Sequence, residues 1–214
     1  MAIVKETRSV QDFDEVAMEG HGELMIVQGD HEALEIEADE DLLPKIQSEV
    51  RNGRLVLGIR NWWDWLLPPW GPIHYYLTMK SIRGISISGS GSVTASEIQT
   101  DQCHLALSGS GRAVLAKLTA ESAEYHISGS GRIEVGGGEV GRQELKISGS
   151  GNLDTRAVTC ENAVVHISGS GNVALQAEKT LDVHVSGSGD VRYKGQPTVS
   201  QHVSGSGRVK QAEA

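Results

Sequence analysis

The sequence predicts an all-β fold: a right-handed, single-stranded parallel β-helix (β-solenoid) with about seven regular coils and an irregular, β-rich N-terminal cap. Three observations support this prediction. A Ser-Gly-Ser-Gly phrase recurs seven times, apolar and polar residues alternate before each copy, and aromatic residues make up only 4% of a chain that contains 26 glycines. A thin aliphatic core with many sharp turns is typical of a solenoid.

The copies of the phrase are evenly spaced, with four intervals of 20 residues followed by two of 18. They begin at Ser88, Ser108, Ser128, Ser148, Ser168, Ser186 and Ser204. A fixed period near 20 residues indicates that each unit is one turn of a stack, because one unit cannot bury its own apolar face. We therefore divide the chain into an N-terminal cap with the first irregular coils, residues 1–80, and a solenoid of repeats, residues 81–214.

The residues before each phrase have a period of two, which predicts a strand. In one copy, Cys103, Leu105 and Leu107 alternate with His104 and Ala106. We expect the first three to point inward, because successive side chains of a strand lie on opposite faces. A second inward position follows each phrase, at Val93, Ala113, Ile133, Leu153, Val173, Val191 and Val209. Each coil should therefore contain a strand, a tight corner and another strand.

Glycine suits the corners because it accepts a positive φ without a Cβ clash. We expect structural corners at both glycines of each phrase: Gly89, Gly91, Gly109, Gly111, Gly129, Gly131, Gly149, Gly151, Gly169, Gly171, Gly187, Gly189, Gly205 and Gly207. The phrase is not a phosphate-binding loop, which would open a helix once rather than a strand seven times. It also lacks the spacing of a nucleophile elbow and the repeated Asp of a calcium-binding β-roll.

Residues 1 to about 80 lack the phrase but are rich in strand patterns. Residues 23–27 and 33–38 alternate, the segment 51–54 resembles a hairpin turn before the strand 55–59, and residues 39–46 suit one short helical turn. A solenoid end exposes unpaired backbone, so an atypical terminal segment is expected to cover it.

Charge and hydropathy argue against a nucleic acid partner and against a segment that spans a bilayer. The net charge of −9 and the absence of a Lys/Arg run argue against nucleic acid binding. No apolar stretch approaches the roughly 20 residues needed to span a bilayer, and the first residues lack the apolar segment of a secretion signal. We expect a soluble chain. If the protein is exported, we expect its secretion signal to have been removed from this sequence.

The repeats ISGSGSV, ISGSGRI, ISGSGNL and ISGSGNV follow the segment MIVQGDHEALEIEADEDLLPKIQSEVRNGRLVLGI. With these motifs the sequence resembles the bacterial auto-transporter adhesin head GIN domain family, from about Phe13 to Val209. The resemblance implies a β-helical fold and a location in the periplasm or at the surface of a Gram-negative bacterium. It supplies no catalytic residues.

One outward column of the predicted solenoid contains His126, His166, His184 and His202, the last three on consecutive coils. Neighbouring imidazoles about 4.8 Å apart could share a metal ion. We expect instead that these histidines are exposed amphipathic residues, because zinc requires converging ligands. The sequence therefore predicts no metal site and no cofactor.

A second outward column places Arg112 and Arg132 on adjacent coils, where they could bind an anionic sugar. The simpler interpretation is an exposed column of polar residues. A polysaccharide-active lyase or hydrolase would need carboxylates gathered in one groove. The outward columns show none at matched positions in neighbouring coils, which leaves an enzyme as the alternative hypothesis.

All four tryptophans, Trp62, Trp63, Trp65 and Trp70, lie in the segment 61–71. Its prolines exclude a regular strand. Tryptophan is preferred at protein contacts and membrane interfaces, so the segment is a candidate site for a homo-oligomer, an envelope partner or a membrane interface. The alternative is a hydrophobic lid on the end of the solenoid.

Cys103 and Cys160 are the only cysteines. Three coils separate them by about 14 Å along the stack, which exceeds the roughly 7 Å limit between the Cα atoms of a disulfide. We expect two free thiols, with Cys103 inward and inert. We interpret the chain as a non-enzymatic envelope or surface scaffold that acts in adhesion or in binding a protein or glycan.

Overall fold

A computed structural model describes residues 2–60 and 71–212. The repeats form a parallel β-solenoid in which each rung is hydrogen-bonded to the next. Its strands are β8 (Gly84–Gly89), β9 (Ser92–Gly109), β10 (Arg112–Gly129), β11 (Arg132–Val135), β12 (Gly138–Gly149), β13 (Asn152–Thr155), β14 (Val158–Gly169), β15 (Asn172–Gln176), β16 (Thr180–Gly187), β17 (Asp190–Lys194), β18 (Thr198–Gly205) and β19 (Arg208–Gln211). The fold class predicted from the repeat is confirmed.

In the described residues before the repeats, the strands are β1 (Ile3–Arg8), β2 (Glu15–Gly20), β3 (Glu23–Gln28), β4 (Ala33–Asp39), β5 (Ile46–Arg51), β6 (Arg54–Ile59) and β7 (His74–Met79). The expected helical turn is a 3₁₀ helix at Leu43–Lys45. The expected hairpin joins β5 to β6, with Asn52 and Gly53 both at positive φ.

The four coils between Ser92 and Gly169 have three faces, whereas the coils that follow lack the strand of the third face. Face A holds the strand that leads into the phrase, such as β16, and face B holds the strand that follows it, such as β17. Face C consists of segments 97–100, 117–120, 138–140 and 158–160, which pair in parallel between β9, β10, β12 and β14. Sequence reasoning found faces A and B but not face C, whose segments share no fixed phrase.

The phrase keeps one register along the whole stack. The first glycines of its seven copies pair in sequence, from Gly89 with Gly109 to Gly187 with Gly205. The segment Glu19-Gly20-His21-Gly22 forms a further corner before them, because its Gly20 pairs in register with Gly89 of the first phrase. The G-x-G spacing of that segment was the signal that could have revealed this corner.

The two glycines of a phrase have different roles. The first has a positive φ, +125° at Gly129, whereas the second has no positive φ. At Gly131, a Cβ would stand 2.1 Å from a methyl carbon of Leu107 and 2.7 Å from the carbonyl oxygen of Gly111. Backbone conformation therefore requires the first glycine, and close packing on the previous rung requires the second.

Buried aliphatic side chains fill the solenoid as the alternation predicted. Leu105, Ile127, Val165 and Val183 are each 0% exposed. The predicted positions after the phrase are also buried from Val93 to Val191. Two polar residues, Gln143 and Thr155, are fully buried among them, although their neighbours in the repeat are apolar.

The N-terminal region supplies both rungs and a cap. Strands β2 and β3 pair in parallel with β8 and β9, and β6 and β7 form the rung on their other side. Beyond that rung, β5 runs antiparallel to β6, while β4 runs antiparallel to β7 and β1 to β4. The antiparallel strands end the parallel stack.

At the opposite end, no strand in ranges 2–60 and 71–212 pairs with the outer edges of β18 and β19. All eight residues of β18 are exposed. Gln201 occupies the column in which Val183 is buried, so a polar residue replaces an apolar one in this last rung.

Candidate functional site

A groove of about 560 Å³ follows face B from β11 to β17. The polar side chains in its lining are Arg132, Glu134, Asn152, Asp154, Arg156, Asn172, Asp190 and Arg192. Those on the strands project outward because they alternate with buried aliphatic residues such as Leu153 and Val173. We call this surface the face B groove.

Amide groups on successive rungs are linked along the face B groove. The Asn172 side-chain nitrogen donates to the Asn152 side-chain oxygen at 3.1 Å. The Asn172 oxygen accepts a hydrogen bond of 3.3 Å from the backbone nitrogen of Asp190. These contacts hold the amides in a fixed order while leaving further donor and acceptor positions for a ligand.

The two arginines singled out from the sequence lie on adjacent rungs. Arg112 pairs in register with Arg132, and Arg132 pairs with Asn152. The Arg112 guanidinium forms an ion pair of 3.1 Å with Glu134. The column therefore brings mixed charges together rather than a purely cationic surface.

Carboxylates do occupy matched positions on neighbouring rungs, so the expectation that none would do so is wrong. Glu134 pairs in register with Asp154 on face B, and Glu124 pairs with Glu144 on face A. That expectation considered only the two outward columns nearest the phrase, those of His126 and Arg132. The carboxylate pairs lie one outward position further from the phrase on each strand. Both pairs are compensated by nearby basic side chains.

The ionisation of Asp154 and Glu124 does not suit a general acid, which needs a raised pKa. Burial acts to raise the pKa of Asp154, but hydrogen bonds from Arg156 outweigh it and lower the pKa. The pKa of Glu124 is lowered, chiefly by its hydrogen bond from Lys146. The direction of both shifts favours permanently charged, ion-paired groups.

The predicted histidine column exists on face A. His166, His184 and His202 pair in register, and the rings of the first two are stacked with centroids 5.0 Å apart and planes 10° apart. The next pair of rings is 6.4 Å apart and tilted by 46°. Within residues 2–60 and 71–212, no group of three or more His, Cys, Asp and Glu side chains is arranged to hold a metal ion.

Both cysteines are buried free thiols, as predicted. Burial raises the pKa of Cys103 to about 12 and that of Cys160 to about 11. The Cys160 sulfur lies 3.2 Å from the carbonyl oxygen of Asn162. Neither thiol has the lowered pKa of a reactive cysteine.

The candidate contact residues Trp62, Trp63, Trp65 and Trp70 lie outside the described residues. Residues 60–73 join β6 to β7, where the other rungs have a four-residue phrase. The flanking Ile73 is buried, and its carbonyl oxygen accepts a hydrogen bond from the Glu23 nitrogen at 2.9 Å.

No helix in the described part of the chain could span a bilayer. The sequence matches none of the curated proteins. Solved structures match its fold over nearly the full length. A "putative adhesin" from Bacteroides fragilis has a TM-score of 0.92 and 22% identity, covering 99% of this chain and 97% of its own.

Two structures from Parabacteroides also show the fold. A "putative lipid binding protein" from P. distasonis has a TM-score of 0.77 and 22% identity, covering 99% of this chain and 97% of its own. A "putative adhesin" from P. merdae has a TM-score of 0.73 and 20% identity, with coverage of 99% and 96%. Residues 12–197 match the family described as "Putative auto-transporter adhesin, head GIN domain". Since this match spans most of the sequence, the chain belongs to that family.

Proposed function

We propose that this chain is a non-catalytic adhesion module of a bacterial cell envelope that binds an extended surface glycan along the face B groove. The family description supports adhesion and an envelope location. The observation that carries the proposal is the face B groove itself, which presents amide, carboxylate and guanidinium groups from successive rungs. Sugar hydroxyls both donate and accept hydrogen bonds, so they require such a mixed set of partners.

The spacing of the groove favours a polymer over a small ligand. Rungs repeat about every 4.8 Å, so equivalent side chains recur along the solenoid axis. The groove is open and polar, which makes each contact weak, because water competes for every hydrogen bond. Several weak contacts to one polymer add up through a high effective concentration, and this arrangement suits adhesion.

The ion-paired state of the carboxylates supports binding without catalysis. Asp154 accepts hydrogen bonds from the Arg156 guanidinium at 2.6 and 2.9 Å, and Glu134 pairs with Arg112. A polysaccharide hydrolase requires one protonated carboxyl as the general acid. The lowered pKa of Asp154 opposes that role.

A glycan array with the intact chain tests the proposal, followed by affinity measurements on each positive glycan. The double variant Asn152→Ala/Asn172→Ala removes the linked amides and should weaken binding by about tenfold or more. The matched control is Thr119→Ala/Thr159→Ala, which changes two outward residues of face C. The control should bind like the wild type.

Two results would contradict the proposal. Equal glycan affinities of the double variant and the control would show that the face B groove does not bind the glycan. Release of new reducing ends from a bound polysaccharide, abolished by Asp154→Asn, would show that the protein is an enzyme.

A further inference from the structure

A second groove, of about 420 Å³, lies on face A beside the corner. One side is formed by His126, Lys146, His166, His184 and His202, and the other by Ser148, Ser168, Ser186 and Ser204. These four serines are exposed. We call this surface the histidine groove, and it is separate from the face B groove.

The ring geometry indicates what the histidine groove can bind. The rings of His166 and His184 are nearly parallel, so their nitrogens do not converge on one point between them. Chelation of a metal ion requires convergence. Protonated imidazoles would instead present a row of N–H donors and positive charges, repeated about every 4.8 Å.

The charged residues around the histidine column determine the sign of the surface charge at neutral pH. Lys146 lies 2.9 Å from both Glu124 and Glu144, and Asp182 lies 3.3 Å from the Nε2 atom of His184. The other residues beside the column on β14 and β18, Val164 and Ser200, carry no charge. With neutral imidazoles, three carboxylates therefore face one lysine, and the surface repels anions.

Protonation of the histidines would reverse the sign of this surface charge. Histidine is the side chain whose charge changes between pH 5 and 8, and protonation of the four histidines of the groove would add positive charge to this surface. The hydrogen bond from Lys146 lowers the pKa of Glu124, so this carboxylate keeps its charge as the pH falls. Stacked imidazolium ions repel one another at this separation, and an anion bound across two rungs would offset the repulsion.

We propose that the histidine groove is an acid-activated binding site for a linear acidic polysaccharide, a polymer with carboxylate or sulfate groups along its length. The column is straight, which selects an extended ligand. The serine hydroxyls on its other side can bind the sugar hydroxyls that such a polymer carries between its charges. Binding strengthens as the pH falls from 7.5 to 5.5.

Calorimetry with oligogalacturonate and dextran sulfate at these two pH values tests the site, with neutral dextran as the uncharged probe. The wild type should bind one or both acidic polymers about tenfold more tightly at pH 5.5. The triple variant His166→Gln/His184→Gln/His202→Gln should lose this gain. The control His31→Gln/His74→Gln removes two histidines elsewhere and should retain it.

A second triple variant, His166→Lys/His184→Lys/His202→Lys, fixes the positive charge. It should bind the acidic polymers at pH 7.5 as the wild type does at pH 5.5, and circular dichroism checks that each variant is folded. The proposal is overturned if neutral dextran binds equally well, if the Gln variant keeps the acid-dependent gain, or if the Lys variant fails to bind at pH 7.5. If the Gln variant unfolds, binding of the acidic polymers by the Lys variant at pH 7.5 tests the proposal on its own.

Discussion

The carbonyl oxygen of Gly129 lies so close to the backbone of Gly149 that a Cβ built at Gly149 would stand 2.5 Å from it. Gly149 also has a φ of +125°, which L side chains rarely adopt. The same contact joins the first glycine of each phrase to its equivalent on the preceding rung. The phrase is therefore a requirement of stacking as well as of turning.

The substitution Gly149→Val should destabilise the solenoid by about 3 kcal/mol or more, because it combines backbone strain with a clash against the previous rung. Urea denaturation followed by circular dichroism measures the loss. Ser150→Ala, at the next and exposed position, is the control and should change stability by less than about 0.5 kcal/mol. Similar midpoints for both variants would refute the stacking requirement.

The substitution Ile147→Ala should cost about 2 to 5 kcal/mol, since it leaves a cavity in the core. Ile147 is 2% exposed and pairs with Ile127 and Ile167 on the neighbouring rungs. Ser148→Ala, one residue further, should cost far less because Ser148 is exposed. The reverse order of denaturation midpoints would show that the inward assignment is wrong.

Faces A and B were predictable because the two-residue alternation of their strands keeps the same position relative to the phrase in each repeat. The inward positions of Leu105 and Leu107 were therefore predicted correctly. The positions of β2 between β6 and β8, and of β3 between β7 and β9, could not be predicted in this way, because chain order and spatial order differ there. Pairing between rungs is long-range, and a single sequence carries no direct signal of it.

The candidate site was predictable only in part. The histidine column followed from the alignment of repeats, as did the register of Arg112 with Arg132. The ion pairs that neutralise Glu134 and Asp154 depend on side-chain reach across rungs, which periodicity does not specify. The face B groove was missed for this reason.

The thiols of Cys103 and Cys160 should resist modification in the native protein. Both are buried, and burial raises the pKa of each, so thiolate is scarce at pH 8. A chromogenic thiol reagent should react with two groups per chain in denaturant and with almost none without it. Rapid labelling of the folded protein would contradict the buried assignment.

The same thiols should make stability depend on alkaline pH. A thiol whose pKa is raised by folding binds its proton more tightly in the folded state, so its contribution is fully present below the unfolded pKa, near 9.0. That contribution is lost as the pH rises toward 11 and 12, the folded values. Between pH 9 and 10, the double variant Cys103→Ala/Cys160→Ala should show a shallower fall in unfolding free energy than the wild type.

The tryptophan segment, residues 61–71, is proposed as a contact site for a second copy of the chain or an envelope partner. Aliphatic side chains already fill the solenoid interior. Each indole can bury about 150 to 250 Å², so two exposed ones would form a patch that a soluble monomer rarely keeps without use. Pro68 and Pro69 restrict the backbone and lower the entropic cost of binding.

Replacing Trp62, Trp63 and Trp65 with Ser tests this proposal, because it removes the apolar contact while keeping the length of the segment. We expect a smaller mass in light scattering or weaker binding to envelope extracts, with liposome association reporting any membrane contact. Trp70→Phe is the conservative comparison and should behave like the wild type, since an aromatic ring is retained. If mass, extract binding and liposome association are all unchanged while the thermal midpoint falls sharply, the segment is a lid on the solenoid and the contact proposal is wrong.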